Sequence, residues 1–286
     1  MKRALAEIHR QLDTLYSPEE LRELIRWMME EVAGIPPYRL LLADDILTQE
    51  QQSQISAMVA RLAKKEPLQY ILGKTEFCGL PFQVNRDVLI PRPETEQLVR
   101  LIADDFHLCP SVQILDIGTG SGCIAVSLAS LLPKAQVTGL DVSSSALRVA
   151  AGNAQMNQVS VSWICEDILQ SEADACLDLY DCIVSNPPYI MDHERQSMDA
   201  GVLDYEPHKA LFVPDTDPLL FYRRIVQLAK SHLMAGGWLY FEINEQCGDA
   251  MVSLLSKADF TRIEIIKDYF GKDRILKAQW NYEKIG

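Results

Sequence analysis

Residues 181–190 read Asp-Cys-Ile-Val-Ser-Asn-Pro-Pro-Tyr-Ile, a short apolar strand running into Asn186-Pro187-Pro188-Tyr189. Two consecutive prolines have no N–H to give a sheet and hold φ near −65°, so the strand ends there in a stiff extended bend. Asn186 offers a side-chain carbonyl, and the carbonyls of Pro187 and Pro188 are not tied up by N–H groups of their own residues. A planar –NH2 entering this corner therefore meets two acceptors, and Tyr189 can lie flat against it. The nitrogen of an amide or aromatic amine is a poor nucleophile because its lone pair is delocalised. Holding both N–H bonds while the lone pair points at an electrophile lets it rehybridise, so orientation and electrostatics can replace a side-chain base. Alone, such a stretch reads as a strand followed by a proline turn; chemistry requires a source of the electrophile.

Asp116-Ile117-Gly118-Thr119-Gly120-Ser121-Gly122 supplies a candidate. A glycine-rich turn between a strand and a helix lets the backbone approach a ligand closely. The spacing is G-x-G-x-G, and Cys123 stands where a dinucleotide fingerprint would want its third glycine, which disfavours a nicotinamide dehydrogenase. Asp116 would repel a pyrophosphate but can hold a cationic α-amino group, directly or through water. Asp141 ends the next strand, where an acid can accept from both ribose hydroxyls. Glu166-Asp167 ends the third, within reach of an adenine amine. Three acidic strand ends around a glycine turn, with no phosphate-binding lysine, describe a cationic nucleoside with an amino acid tail, and S-adenosylmethionine fits that description.

The elements that must position these residues alternate. Strands are expected at 112–117, 136–140, 159–165, 180–184 and 238–243, and helices at 123–132, 145–156, 218–234 and 247–258. This implies a mainly parallel sheet covered on both faces, with 262–266 and 275–280 as a closing antiparallel pair. In such sheets ligands bind at the carboxyl ends of strands, where Asn186 falls. Residues 1–66 have helical spacing and two start signals, Ser17-Pro18-Glu19-Glu20 and Thr48-Gln49-Glu50-Gln51, and form a small helical domain of four or five helices. Between them, 67–92 are expected to hold a β-hairpin, with strands 69–77 and 80–84 about Cys78-Gly79, and a stiff proline-rich linker. The domain that follows spans 93–286.

Composition sets limits. The chain has 286 residues, 48% of them hydrophobic and 23% charged, enough for a sizeable core. A net charge of −13 argues against non-specific nucleic-acid binding and mildly favours a basic protein partner. The polar start and the lack of a spanning apolar run point to a cytoplasmic protein with no membrane association. Seven scattered cysteines (78, 109, 123, 165, 176, 182 and 247), without a Cys-x-x-Cys pair, read as reduced core residues. The five dispersed histidines suggest no metal site.

The glycine turn, Asp141, Asp167 and Asn186-Pro187-Pro188-Tyr189 resemble the signature of class I S-adenosylmethionine-dependent methyltransferases that modify planar amino groups, a Rossmann-like α/β fold. Pro67-Leu68-Gln69-Tyr70-Ile71-Leu72-Gly73, Ile90-Pro91-Arg92-Pro93-Glu94-Thr95-Glu96, Glu206-Pro207 with Ala210-Leu211, and Gly271 with Arg274 narrow this. Across essentially its whole length the chain resembles the bacterial peptide chain release factor glutamine methyltransferases. The resemblance implies methylation of the side-chain amide of the glutamine in the Gly-Gly-Gln motif of class 1 release factors, with the helical domain helping to grip that partner. It implies that Asp116, Gly118, Thr119, Gly120, Ser121, Gly122, Asp141, Asp167, Ile168 and Asn186 bind the cofactor. Asn186, Pro187, Pro188 and Tyr189 would hold the glutamine, with Asn186, Pro187 and Tyr189 catalytic. The family often has an aromatic residue where Ile168 stands, so here the adenine face would be covered without stacking. A monomer without direct nucleic-acid contact is expected. The alternatives are an adenine N6-methyltransferase acting on DNA or RNA, which would need a basic groove the composition does not offer, and a non-catalytic cofactor-binding scaffold. Glu94, Glu206 and Arg274 are expected to serve packing and loop anchoring.

Overall fold

The computed structural model describes residues 1–40, 46–170 and 177–281; of the seven cysteines, Cys176 lies outside them. The chain divides into two compact units, 1–73 with 199–205, and 74–198 with 206–286.

In the first unit, α1 (Lys2–Leu12), α2 (Pro18–Ala33), α3 (Pro37–Leu40), α4 (Gln49–Leu62) and α5 (Leu68–Leu72) follow one another. Both start signals are realised as reciprocal capping boxes. Glu20 N–H donates to Ser17 Oγ and Ser17 N–H to Glu20 Oε2, and Thr48 and Gln51 repeat the exchange. The buried face holds Ile8, Leu12, Leu21, Ile25, Met28, Met29, Ile55, Met58, Val59 and Leu62, as their helical spacing requires. The expected strand over 69–73 is instead the helix α5. Pro67 precedes it and Gly73, at φ 72°, closes it in the left-handed conformation. An apolar run this short has no decisive period, and its Pro and Gly brackets are helix start and stop signals.

The second unit opens with the hairpin β1 (Lys74–Phe77) and β2 (Leu80–Gln83). Cys78 and Gly79 both have positive φ, as a two-residue hairpin turn demands. There follow α6 (Pro93–Phe106), β3 (Gln113–Ile117), α7 (Cys123–Leu131), β4 (Gln136–Asp141), α8 (Ser144–Met156), β5 (Ser162–Cys165), β6 (Tyr180–Ser185) and β7 (Ile190–Met191). The chain then enters α9 (Ala200–Tyr205), which belongs to the first unit, where Tyr205 donates to the Lys64 carbonyl. Next come β8 (Phe212–Val213), α10 (Leu220–His232), β9 (Leu233–Glu242), α11 (Gly248–Lys257), β10 (Phe260–Lys267) and β11 (Asp273–Trp280). β7 and β8 form a small parallel pair that the sequence did not suggest.

The main sheet has seven strands in the order β10-β11-β9-β6-β3-β4-β5. The run from β9 to β5 is parallel, and β11 is antiparallel to both of its neighbours. Its central strands are buried on both faces. Along β6, Ile183 joins one core cluster while Cys182 and Val184 join the other; along β3, Leu115 and Ile117 face the first and Ile114 the second. This is why these strands are continuously apolar instead of alternating. The cysteines are less uniformly buried than expected: Cys182 and Cys247 are buried, Cys109 and Cys165 exposed, and all six in the described residues are free thiols.

Candidate active site

Register decides what the carboxyl edge of the sheet presents. Ile117 of β3 pairs with Leu140 of β4 on one side and Ser185 of β6 on the other, and Ser185 pairs with Phe241 of β9. The next residues, Asp141, Gly118, Asn186 and Glu242, therefore emerge level from four adjacent strands spaced about 4.8 Å apart. Ser185 Oγ fastens the central step by donating to the Ile117 carbonyl at 2.6 Å. The glycine turn and the proline corner lie side by side.

The turn is built from its backbone. The N–H groups of Gly118 and Thr119 both donate to the Leu140 carbonyl, and Gly122 N–H closes on Thr119. Gly118 and Gly120 take positive φ; a Cβ would project into open space at Gly118 and touch only the Gly118 carbonyl, at 4.0 Å, from Gly120. Gly122 is of another kind, since a Cβ there would lie 3.0 Å from that of Ala150; it seats the turn on α8. Asp141 accepts from Gly120 N–H at 2.9 Å and Ser143 N–H at 2.8 Å. It keeps one lone pair on each oxygen for a ligand. Burial raises its pKa, and the N–H donors of Ser143 and Gly120 oppose that. Asp167 accepts from Leu169 N–H in a local turn.

Several expected ligand residues face inward. Asp116 has no exposed surface, and its Oδ2 accepts from Thr119 Oγ1 at 2.5 Å. Its Oδ1 is buried without a well-formed hydrogen bond. Burial pushes this carboxyl up to about 7, against the pull of Thr119 and the Ala125 N–H. Thr119 and Ser121 are buried as well, so what they offer outward is backbone. Ile168 is packed into the core with Leu115 and Leu140. The open face at Gly118 and the spare lone pairs of Asp141 fit a ligand with hydroxyl donors laid over the turn.

Around the proline corner the structure adds residues that the sequence reading had not singled out. Glu242, 1% exposed at the end of β9, accepts from Thr95 Oγ1 at 2.6 Å and from the Tyr189 hydroxyl at 2.9 Å. Asn186 Nδ2 donates to Thr95 Oγ1 at 3.3 Å, and Asn244 Nδ2 donates to the Tyr189 carbonyl. Burial raises the Glu242 pKa, opposed by Thr95, Tyr189 and Arg274; burial and then Glu242 hold the Tyr189 phenol well above its ordinary value. Neither Asn186 Oδ1 nor the Pro187 carbonyl makes a hydrogen bond among the described residues. The acceptors expected there are available. Glu242 carries a sequence signal of its own: it is an acid ending an apolar strand, as Asp141 is. Thr95 lies inside Ile90–Glu96. Of the residues expected to anchor loops, Glu206 accepts from Arg92 and from the Ile90 N–H, and Arg274 pairs with Asp268 at 3.2 Å.

Residues 94–203 match the family model of the methyltransferase small domain, and residues 3–73 that of the PrmC N-terminal domain. A release factor glutamine methyltransferase from Bacteroides thetaiotaomicron is 43% identical over 279 residues, 97% of this chain and 99% of the relative. The chain belongs to the release factor glutamine methyltransferase family. A second release factor glutamine methyltransferase, from Flavobacterium psychrophilum, is 44% identical over 94% of this chain and 95% of its own. The crystal structure of a methyltransferase from Pyrococcus furiosus superposes with a TM-score of 0.51 at 18% identity, over 82% of this chain and all of that one, and attests the Rossmann-like fold alone. Within this chain, Gly118 and Asn186 leave neighbouring parallel strands at one level.

Proposed function

We propose that the protein transfers a methyl group from S-adenosylmethionine to the side-chain amide nitrogen of the glutamine in the Gly-Gly-Gln motif of class 1 peptide chain release factors. The observation that carries this is the register: an acceptor corner and a glycine turn leave adjacent parallel strands at one level. The kinship to release factor glutamine methyltransferases supports the choice of acceptor.

When bound, S-adenosylmethionine supplies an electrophilic sulfonium methyl. Gly118 to Gly122 would hold it through their backbone, Asp141 would accept from its ribose hydroxyls, and Asp167 and Ile168 would serve its adenine. Asp116 acts from beneath by fixing Thr119, whose hydroxyl donates to it. Asn186 Oδ1 and the Pro187 carbonyl accept the two amide N–H bonds, Pro188 keeps the corner rigid, and the Tyr189 ring flanks the amide plane. With both N–H bonds so held, the amide lone pair is turned toward the glycine turn, and its proton leaves to water after transfer. The protein acts as a monomer in the cytoplasm, with the helical unit engaging the release factor.

The test uses labelled cofactor with a purified release factor, the same factor with its motif glutamine changed to alanine, and DNA or RNA as parallel acceptors. Label should enter the first alone. Label in the nucleic acid would replace this proposal with adenine N6-methylation, and cofactor binding without transfer would leave a scaffold.

A further inference from the structure

The hydrogen bonds behind the proline corner have a direction. An ionised Glu242 can only accept, and a hydroxyl has a single proton. The Thr95 proton is committed to Glu242 at 2.6 Å, so Thr95 Oγ1 can only accept from its other neighbour. That neighbour is Asn186, and only the –NH2 end of its amide can donate, as it does at 3.3 Å. The reverse orientation would set two oxygens against each other. The carbonyl end must then face the other way, which is where Asn186 has its free acceptor.

We propose that Thr95 and Glu242 are positioning residues for methyl transfer: the buried carboxylate, acting through the threonine hydroxyl, fixes which end of the Asn186 amide faces the incoming amine. This rests on the function proposed above. An acceptor amide brings two N–H donors. Against Asn186 Oδ1 they make a hydrogen bond, and against Asn186 –NH2 they would meet donors. An asparagine free to flip would spend part of its time in the unproductive orientation and would hold the acceptor nitrogen less firmly in the other. Tyr189 reports to the same carboxylate through its hydroxyl, so one buried group sets both the polar and the aromatic wall of the corner.

The experiment compares Thr95→Ser, which keeps the hydroxyl, with Thr95→Val, which keeps the shape and removes it, each alone and combined with Asn186→Ala. Thr95→Ser should stay within about threefold of the parent, and Thr95→Val should lose about tenfold or more in kcat, the worth of one hydrogen bond, with KM for the protein substrate little changed. In the Asn186→Ala background Thr95→Val should cost nothing further, because it acts through the missing amide. A merely structural threonine would cost the same in both backgrounds. In the ligand-free protein, the Asn186 side-chain –NH2 signals in the NMR spectrum should be slow to exchange in the parent and in Thr95→Ser, and fast in Thr95→Val. Should Thr95→Val fail to fold, Thr95→Ala carries the same comparison. The proposal is overturned if the valine variant keeps kcat within threefold, or if the Asn186 –NH2 exchange is unchanged. If the parent transfers no methyl to any protein amide, the functional proposal fails by itself, and the exchange measurement still decides the positioning role.

Discussion

Replacing Tyr189 with phenylalanine removes one oxygen atom and leaves the ring in place. The hydroxyl donates at 2.9 Å to a carboxylate that is 1% exposed. A hydrogen bond to a buried charged acceptor contributes about 1.5–3 kcal/mol, and its loss leaves that acceptor short of a donor. A destabilisation of about 2 kcal/mol should lower Tm by about 4–8 °C in a unit of this size. The pH dependence carries the sharper test. Burial already raises the Glu242 pKa above 4.5, and Tyr189 is one of the groups holding it down. A raised carboxyl means that the native state keeps its proton longer than the unfolded chain, so stability falls as pH rises from the unfolded value through the folded one. Removing the hydroxyl raises the folded value further and extends that fall to higher pH. The Tm gap between parent and Tyr189→Phe should thus widen as pH is raised above the ordinary carboxylate range, in thermal melts followed by circular dichroism. A gap below about 1 °C, or one independent of pH, would refute the role given to the Tyr189–Glu242 bond.

Three further outcomes follow from the same geometry. Asn186→Ala should lower kcat by about a hundredfold, as loss of a group that stabilises the transition state does, while Tm stays nearly constant; steady-state kinetics beside a melt would separate the two. Asp116, raised from 3.8 to about 7 by burial, should make stability decline across that interval by at most about 1.4 kcal/mol per pH unit; Asp116→Asn should flatten the decline in urea titrations repeated at pH 4, 6 and 8. Gly122→Ala should cost about 1–2 kcal/mol from positive φ, plus the crowding of Ala150, read as a lower urea midpoint.

The parallel sheet was legible because its strands are short apolar runs separated by helical spacing, and because Pro187, Gly118 and the acids mark where strands stop. The hairpin turn was legible in Cys78-Gly79 itself. What escaped was set by tertiary contact. Leu68–Leu72 has no period long enough to separate strand from helix, and β7 with β8 are two-residue strands that exist only because they meet. Asp116, Thr119 and Ser121 sit in a motif that names them together, yet a motif cannot say which side chains point inward. Glu242 was hidden for a different reason: 147 residues separate it from Thr95, and nothing local announces that a strand-ending glutamate will meet a helix-opening threonine.

The return of α9 to the first unit bears on the order in which the protein can take shape during synthesis. Among the described residues, the buried apolar cluster of that unit runs up to Leu68, with Ile71 and Leu72 packed against it, so its core can close soon after those residues leave the ribosome. The segment that completes the unit, 199–205, is made about 130 residues later, on the order of ten seconds at ordinary translation rates. Through that interval the nascent bundle must stand without its last helix, with the place of Gly201 beside the Lys65 carbonyl still vacant, while β1 to β7 of the second unit are synthesised.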